Sequence, residues 1–184
     1  MNIHPDDNEL IDVLDSDGRV LKTVTRAEAE RDNHTTENVL IFIFTPHGET
    51  WLQKRSMRKK HFPGIWTNSA CGAVVSGEHH AESARREQRE EMGFESPLTY
   101  TETFLNVFEG EDGSVRSRLS HLYIGISDKT PQVNDEVDEF RIVPNAELPT
   151  HIQQNPAMYI PALLMEFQKA VAAYAALPKP KITA

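Results

Sequence analysis

One cysteine, Cys71, stands among 184 residues, so no intrachain disulfide can form and nothing points to an oxidising compartment. Membrane-length apolar runs are missing as well. The strongest, Val39–Phe44, falls far short of the roughly 20 residues a spanning helix needs. The opening residues, MNIHPDDNEL, are polar and acidic, unlike a secretory signal. Cations are in deficit, 19 Lys and Arg against 28 Asp and Glu, and the net charge of −9 argues against a general nucleic-acid binder. Local cations could still meet phosphates. These absences lead us to expect a soluble, cytoplasmic protein with no membrane association and no stable nucleic-acid partner. The length suits one domain, taken here as residues 1–176, followed by a disordered tail over 177–184 that carries two Pro and two Lys.

What the chain does have is concentrated in GAVVSGEHHAESARREQREEMGF, residues 72–94. Ala81–Met92 reads as a helix, rich in Ala, Arg, Glu and Gln with no interior Gly or Pro. On it Glu87, Glu90 and Glu91 fall at i, i+3 and i+4, which crowds three carboxylates on one face. Like charges so spaced destabilise a bare helix by a few tenths of a kcal/mol, on the order of 0.2–0.5. A hard divalent cation removes that repulsion and uses the oxygens, which suits Mg²⁺. Gly77 suits the turn before the helix, and Gly93 suits a left-handed stop after it. A solvated, charge-laced helix would look similar; the spacing to Gly72 and Glu78 sets this one apart.

That register, Gly72, Glu78, Arg86-Glu87, Glu90-Glu91 and Gly93-Phe94, resembles the Nudix signature G-x5-E-x7-R-E-U-x-E-E-x-G-U, with U a bulky apolar residue. Gln88 departs from it, standing where an aliphatic residue is usual. The resemblance implies a Nudix-like α/β/α sandwich with a mixed central sheet, here with an N-terminal hairpin extension. It also implies Mg²⁺, or Mn²⁺ in its place, held by Glu87, Glu90, Glu91 and the Gly72 carbonyl. Arg86 would orient Glu87, and Glu78 would support the loop. The implied activity is hydrolysis of a diphosphate linkage in a small molecule, a nucleoside diphosphate joined to another group. The base would be Glu87 or a loop residue after the signature, with Glu136, Asp138 and Glu139 as candidates and Glu136 the one we carry forward.

The stretch Phe62–Gly72, FPGIWTNSACG, is similar to type 1 isopentenyl-diphosphate isomerases, a subgroup of the same superfamily, and so is the N-terminal extension. Cys71 matches that subgroup's catalytic thiol. Its partners do not match: Ala73, Thr36 and Ala29 stand at metal-binding histidine positions, with His34 near one of them. Arg116 and Arg118 stand near two acidic positions. Isomerisation through Cys71, or a non-catalytic nucleotide-binding domain, are therefore the alternatives to hydrolysis. The basic stretch Lys54–Lys60 could meet phosphates or simply form a solvated loop. Trp66, Phe62 and Phe104 suit core packing better than stacking on a base. His79 and His80, adjacent in sequence, are expected to diverge and receive no role.

Turn signals and periodicity complete the outline. A hairpin is expected from Leu10–Leu14 and Arg19–Val24, then a helix capped by Thr25-x-x-Glu28. Strands are expected at Val39–Phe44, Trp51–Lys54, Ala73–Val75, Thr101–Phe108, Leu119–Ile126 and Glu139–Val143. A last helix is expected over Pro161–Ala176. The apolar positions of the first hairpin and this helix leave room for a homodimer.

Overall fold

The computed structural model describes residues 5–177. A mixed nine-stranded sheet is built around β3 (Thr36–Phe44), whose run VLIFIF is buried on both faces. Continuous burial of this kind is what an unbroken apolar strand predicts. β3 runs parallel to β8 (Val115–Ile126) and antiparallel to β6 (Ala70–Ala73). At its ends it touches β1 (Leu10–Leu14) and β4 (Glu49–Arg55). β2 (Val20–Thr25) pairs with β1, and β5 (Trp66–Thr67) and β9 (Val137–Pro144) pair with β4. β7 (Leu98–Glu109) forms a long hairpin with β8.

Alternation along β3 gives the sheet two apolar faces. Val39, Ile41 and Ile43 pack with Ala84 and Met92 of α2 (His80–Met92). Leu40, Phe42 and Phe44 pack on the other side with Leu148 and Ile152 of α3 (Leu148–Gln154), and with Leu163 and Phe167 of α4 (Leu163–Ala176). The layers are thus helix, mixed sheet, helix. Among the described residues no helix is long and apolar enough to cross a membrane.

Local chemistry explains most boundaries. Thr25 and Glu28 form the expected capping box at the head of α1 (Arg26–Arg31). Gly93 ends α2 in the left-handed region, with φ 75°. Three expectations need correcting. The strand before α2 is Ala70–Ala73 rather than Ala73–Val75, because pairing with β3 stops at Asn38↔Ala73 and Val75 makes only a bridge to Ile11. The last helix starts at Leu163, the Pro161-Ala162 pair forming the turn that leads into it. Two short elements, β5 and α3, were not expected at all. β5 has only two residues, and α3 carries Pro at its second position and a single apolar pair, Leu148 and Ile152, at i, i+4. The expected tail lies, beyond Leu177, outside the described residues.

Candidate active site

The head of α2 is set by a cap that the sequence concealed. His79 keeps an extended backbone and its ring accepts from Ala81 N, while Glu82 bonds back to His79 N at 3.2 Å. Gln88, the departure from the signature, is fully buried and fully used. Its Nε2 donates to Ser96 Oγ at 2.7 Å, and Ser96 N donates to its Oε1 at 3.0 Å. The amide thus ties α2 to the chain that leaves it, in place of apolar packing.

The three glutamates are not equivalent. Glu87 and Glu91 are buried at 8% and 1% exposure, whereas Glu90 points outward. Arg86 stands among them, donating to Glu87 at 2.6 Å and to Glu90 at 3.3 Å, and it also reaches Glu78 at 3.0 Å and the Ala73 carbonyl at 3.2 Å. Against its own burial, the Glu78 and Glu87 carboxylates hold the Arg86 guanidinium above its ordinary pKa. Glu78 is in turn held low, despite partial burial, by Arg86 and by Ser83 Oγ at 2.8 Å. Glu91 accepts from Gln53 Nε2 at 2.7 Å and from Cys71 N at 2.8 Å.

Burial drives the Glu87 and Glu91 carboxyls above the usual carboxylate range, and for Glu87 the Glu91 charge adds to it. A divalent cation would reverse that repulsion. Two further features fit one. A Cβ on Gly72 would overlap the Glu87 carboxylate, so the bare glycine lets the acid lie on the strand backbone. Beside Glu91, Gln53 Oε1 is buried with no hydrogen-bond partner. Hard oxygen donors crowded at low dielectric suit Mg²⁺ or Mn²⁺. Glu90 is the exception: among the described residues no three carboxylate, imidazole or thiol groups are drawn into one cage, because Arg86 engages Glu90 from the side.

The loop candidates are committed elsewhere. Glu136 is ion-paired with Lys59, Asp138 accepts from Met57 N at 2.9 Å, and Glu139 lies 3.9 Å from Lys54. Their segment does touch α2, since Asn134 Nδ2 donates to the carbonyls of Glu90 and Glu91 at 3.0 Å. Most of the basic stretch is likewise neutralised. Arg58 pairs with Asp135, and Lys60 with Glu30 and Asp7. Arg55 differs: its Nε donates to the His61 carbonyl at 3.0 Å, no described carboxylate pairs with it, and its charge acts on Glu91.

Arg55 opens onto a cavity of about 340 Å³ on the α4 side of the sheet. Cys71, Ala73, Phe62, Phe108 and Glu166 also line it. Period-two alternation divides neighbours here, with Cys71 on this face and Gly72 against Glu87 on the other. Burial pushes the Cys71 thiol far above its ordinary pKa, with Glu91 reinforcing it, so the sulfur stays protonated at neutral pH. Glu166, from α4, was not anticipated. It is buried, accepts from Asn106 Nδ2 at 2.7 Å, and burial pushes it up to about 7. Its sequence signal is one acid inside an apolar helix face, which seldom stands out. Ala29, Thr36, Arg116 and Arg118 border the same cavity, whereas His34 is not among its lining residues. Trp66 is core, as expected, with Arg141 lying over its ring. His79 and His80 do not diverge, because His79 caps the helix from outside it and the two rings come within 4.2 Å. His80 also stacks on His121 and bonds Tyr123.

A family model described as NUDIX domain matches residues 34–163. The chain is 31% identical over 153 residues to isopentenyl-diphosphate Delta-isomerase 2 of Photorhabdus laumondii, covering 83% of this chain and 86% of that protein. It is also 31% identical over 167 residues to isopentenyl-diphosphate Delta-isomerase of Nocardia farcinica, covering 89% and 95%. Among solved structures, DR0079 from Deinococcus radiodurans superimposes with a TM-score of 0.75 at 24% identity, over 88% of this chain and 99% of that one.

Proposed function

This chain belongs to the NUDIX domain family, and from that membership we propose that it is a divalent-metal-dependent hydrolase that opens a diphosphate linkage. One observation carries the choice of hydrolysis over isomerisation. The acidic helix keeps Glu87, Glu90 and Glu91, with Gly72 against Glu87, while Ala29, Thr36 and Ala73 stand where the isomerase resemblance implies histidines and Arg116 and Arg118 stand near two acidic positions. Two guanidinium groups repel a cation where that centre would need to attract one.

Glu87, Glu90 and Glu91, with the Gly72 carbonyl, would hold Mg²⁺ or Mn²⁺. When bound, such an ion neutralises diphosphate charge and lowers the pKa of water. The chain's own residues supply the rest. Arg86 fixes the Glu87 carboxylate, Glu78 steadies Arg86, and Arg55 offers unpaired N–H groups to a phosphate. Water attacks one phosphorus in line, forming a P–O bond as the bridging P–O bond breaks, and its proton passes to a carboxylate. We favour Glu87 over Glu136 as that base, because Glu87 lies against Gly72 among the acids of the helix, whereas Glu136 lies apart, ion-paired with Lys59.

A second reading, isomerisation of an isoprenoid diphosphate, is favoured by one feature. The protonated Cys71 thiol and the Glu166 carboxyl, whose pKa is about 7, line the same cavity. A Mg²⁺-dependent panel separates the two: nucleoside di- and triphosphates, dinucleoside polyphosphates, nucleotide sugars and isopentenyl diphosphate. Release of a phosphate-bearing product that survives Cys71→Ala and is lost in Glu91→Gln supports hydrolysis. Rearrangement of isopentenyl diphosphate, or a Cys71→Ala protein that binds metal normally yet cannot turn over, overturns it.

A further inference from the structure

The far end of the cavity mixes charge, with Glu30, Glu37, Glu111 and Asp112 beside Arg26, Arg116 and Arg118, and of these three arginines Arg118 alone has no ion pair among the described residues. Arg116 and Arg118 follow Ser120, Leu122 and Ile124 on one face of β8, the face that packs toward α4, so both enter the cavity beyond the apolar core. Arg118 donates through Nη1 alone, to the carbonyls of Ser117 at 2.9 Å and His34 at 3.4 Å. Among the described residues its Nε and Nη2 have no hydrogen-bond partner, and no carboxylate lies within ion-pair distance of it. Those two nitrogens form the edge by which a guanidinium grips an oxyanion in two parallel bonds.

The neighbouring acids do not compensate. Glu30 is taken by Lys60 at 2.7 Å, by His61 at 3.0 Å and by Arg26 at 3.5 Å. Asp112 pairs with Arg116 at 2.9 Å, Glu37 accepts from His121, and Glu111 lies 3.7 Å from His61. Burial, together with the charges of Arg116 and Arg26, holds the Arg118 guanidinium below its ordinary pKa even though Glu30 opposes the shift. A half-buried cation repelled by two others has unmet electrostatic demand, and a dianion meets it better than a monoanion.

We propose that Arg118, backed by Arg116, is a second anion site that takes a phosphoryl group of the ligand, distinct from the phosphates at the acidic helix. The strand register separates the two ends. Arg118 lies opposite Thr36, and Cys71 opposite Leu40 on the other side of β3. Two strands across and four residues along, that is roughly 15 Å between backbones. A ligand that reached both would carry phosphoryl charge at both ends, in a cavity that Phe62 and Phe108 also line. This rests on reading the cavity as the substrate site, but binding at Arg118 needs no turnover, so the two can fail separately.

The test is inorganic phosphate binding to the full chain without divalent metal, measured by calorimetry for wild type, Arg118→Met, Arg116→Gln and Glu91→Gln. Expected are saturable binding to wild type and to Glu91→Gln alike, and at least tenfold weaker binding to Arg118→Met. Arg116→Gln should weaken it about threefold, and it carries the test if Arg118→Met does not fold. No saturable binding to wild type, equal affinity in the arginine variants, or a loss confined to Glu91→Gln would each overturn the site, whatever the hydrolysis panel shows.

Discussion

The acidic helix and the arginine-bearing cavity lie on opposite faces of one sheet, and they were assembled in opposite ways. Glu78, Arg86, Glu87, Glu90 and Glu91 come from one stretch of chain, with Arg86 bonded to Glu90 one helical turn on, to its neighbour Glu87 and back to Glu78 before the helix. The cavity draws Arg26 from α1, Arg55 from β4, Cys71 from β6, Arg118 from β8 and Glu166 from α4. The helix gathers charge of one sign and partly neutralises it with Arg86. The cavity mixes both signs, and among the described residues it leaves Arg55 and Arg118 without an ion pair. Together they suit a polyanion held between a cation on one face and guanidinium groups on the other. An all-acidic site would hold the metal but repel its substrate.

The contrast can be broken most sharply at Glu91. Glu91→Gln keeps the Gln53 and Cys71 contacts in outline but removes one buried charge, and hydrolysis should fall by on the order of a thousandfold. Pyrophosphate-bond turnover against Mg²⁺ concentration checks it; activity retained within tenfold would remove the helix from the chemistry.

Glu166 sharpens the comparison from the cavity side through pH. Burial pushes its carboxyl up to about 7, against an ordinary 4.5. Between these pH values the unfolded chain has released the proton and the folded chain still holds it, so rising pH favours unfolding. The associated loss, about 3 kcal/mol, is absent below 4.5 and complete above 7. Glu166→Gln should remove that slope, leaving stability little changed at pH 4 and raised at pH 8. Urea unfolding at both pH values tests this, and parallel curves for the two proteins would refute it.

Gly72 joins the two regions, so its substitution probes both. Gly72→Ala places a methyl where the Glu87 carboxylate lies, which should cost about 1–3 kcal/mol in thermal unfolding and at least tenfold in turnover. Normal activity would mean that Glu87 need not lie on the strand. The smallest effect is expected at Cys71. Cys71→Ala should change hydrolysis less than threefold, because a protonated, partly buried sulfur packed at the core edge supplies volume rather than a nucleophile.

Local features were legible wherever local physics decides them. The capping box at Thr25 and Glu28, the left-handed Gly93 and the buried strand Val39–Phe44 could each be read from a few residues. Where distant residues choose, the chain was silent or misleading. Gln88 reads as a flaw in an apolar position until Ser96 folds back to take both ends of its amide. His79 reads as a histidine with no role until its ring caps the helix from outside. Lys59, Lys60 and Arg58 look as available as Arg55, and only the return of acids at Asp7, Glu30, Asp135 and Glu136 singles Arg55 out.

By itself, then, the sequence determined an acidic helix, the order of most strands and the family, because spacing along a helix of known pitch dictates which carboxylates are neighbours. Tertiary structure alone decided that Glu87 and Glu91 are buried while Glu90 is not, and that Cys71 and Gly72 face opposite ways. It also brought Arg55 and Arg118 to one cavity, where the acids nearby pair with other cations. The reason is physical: burial and net field sum over every segment that packs nearby, and contacts tens of residues apart leave no trace in local pattern.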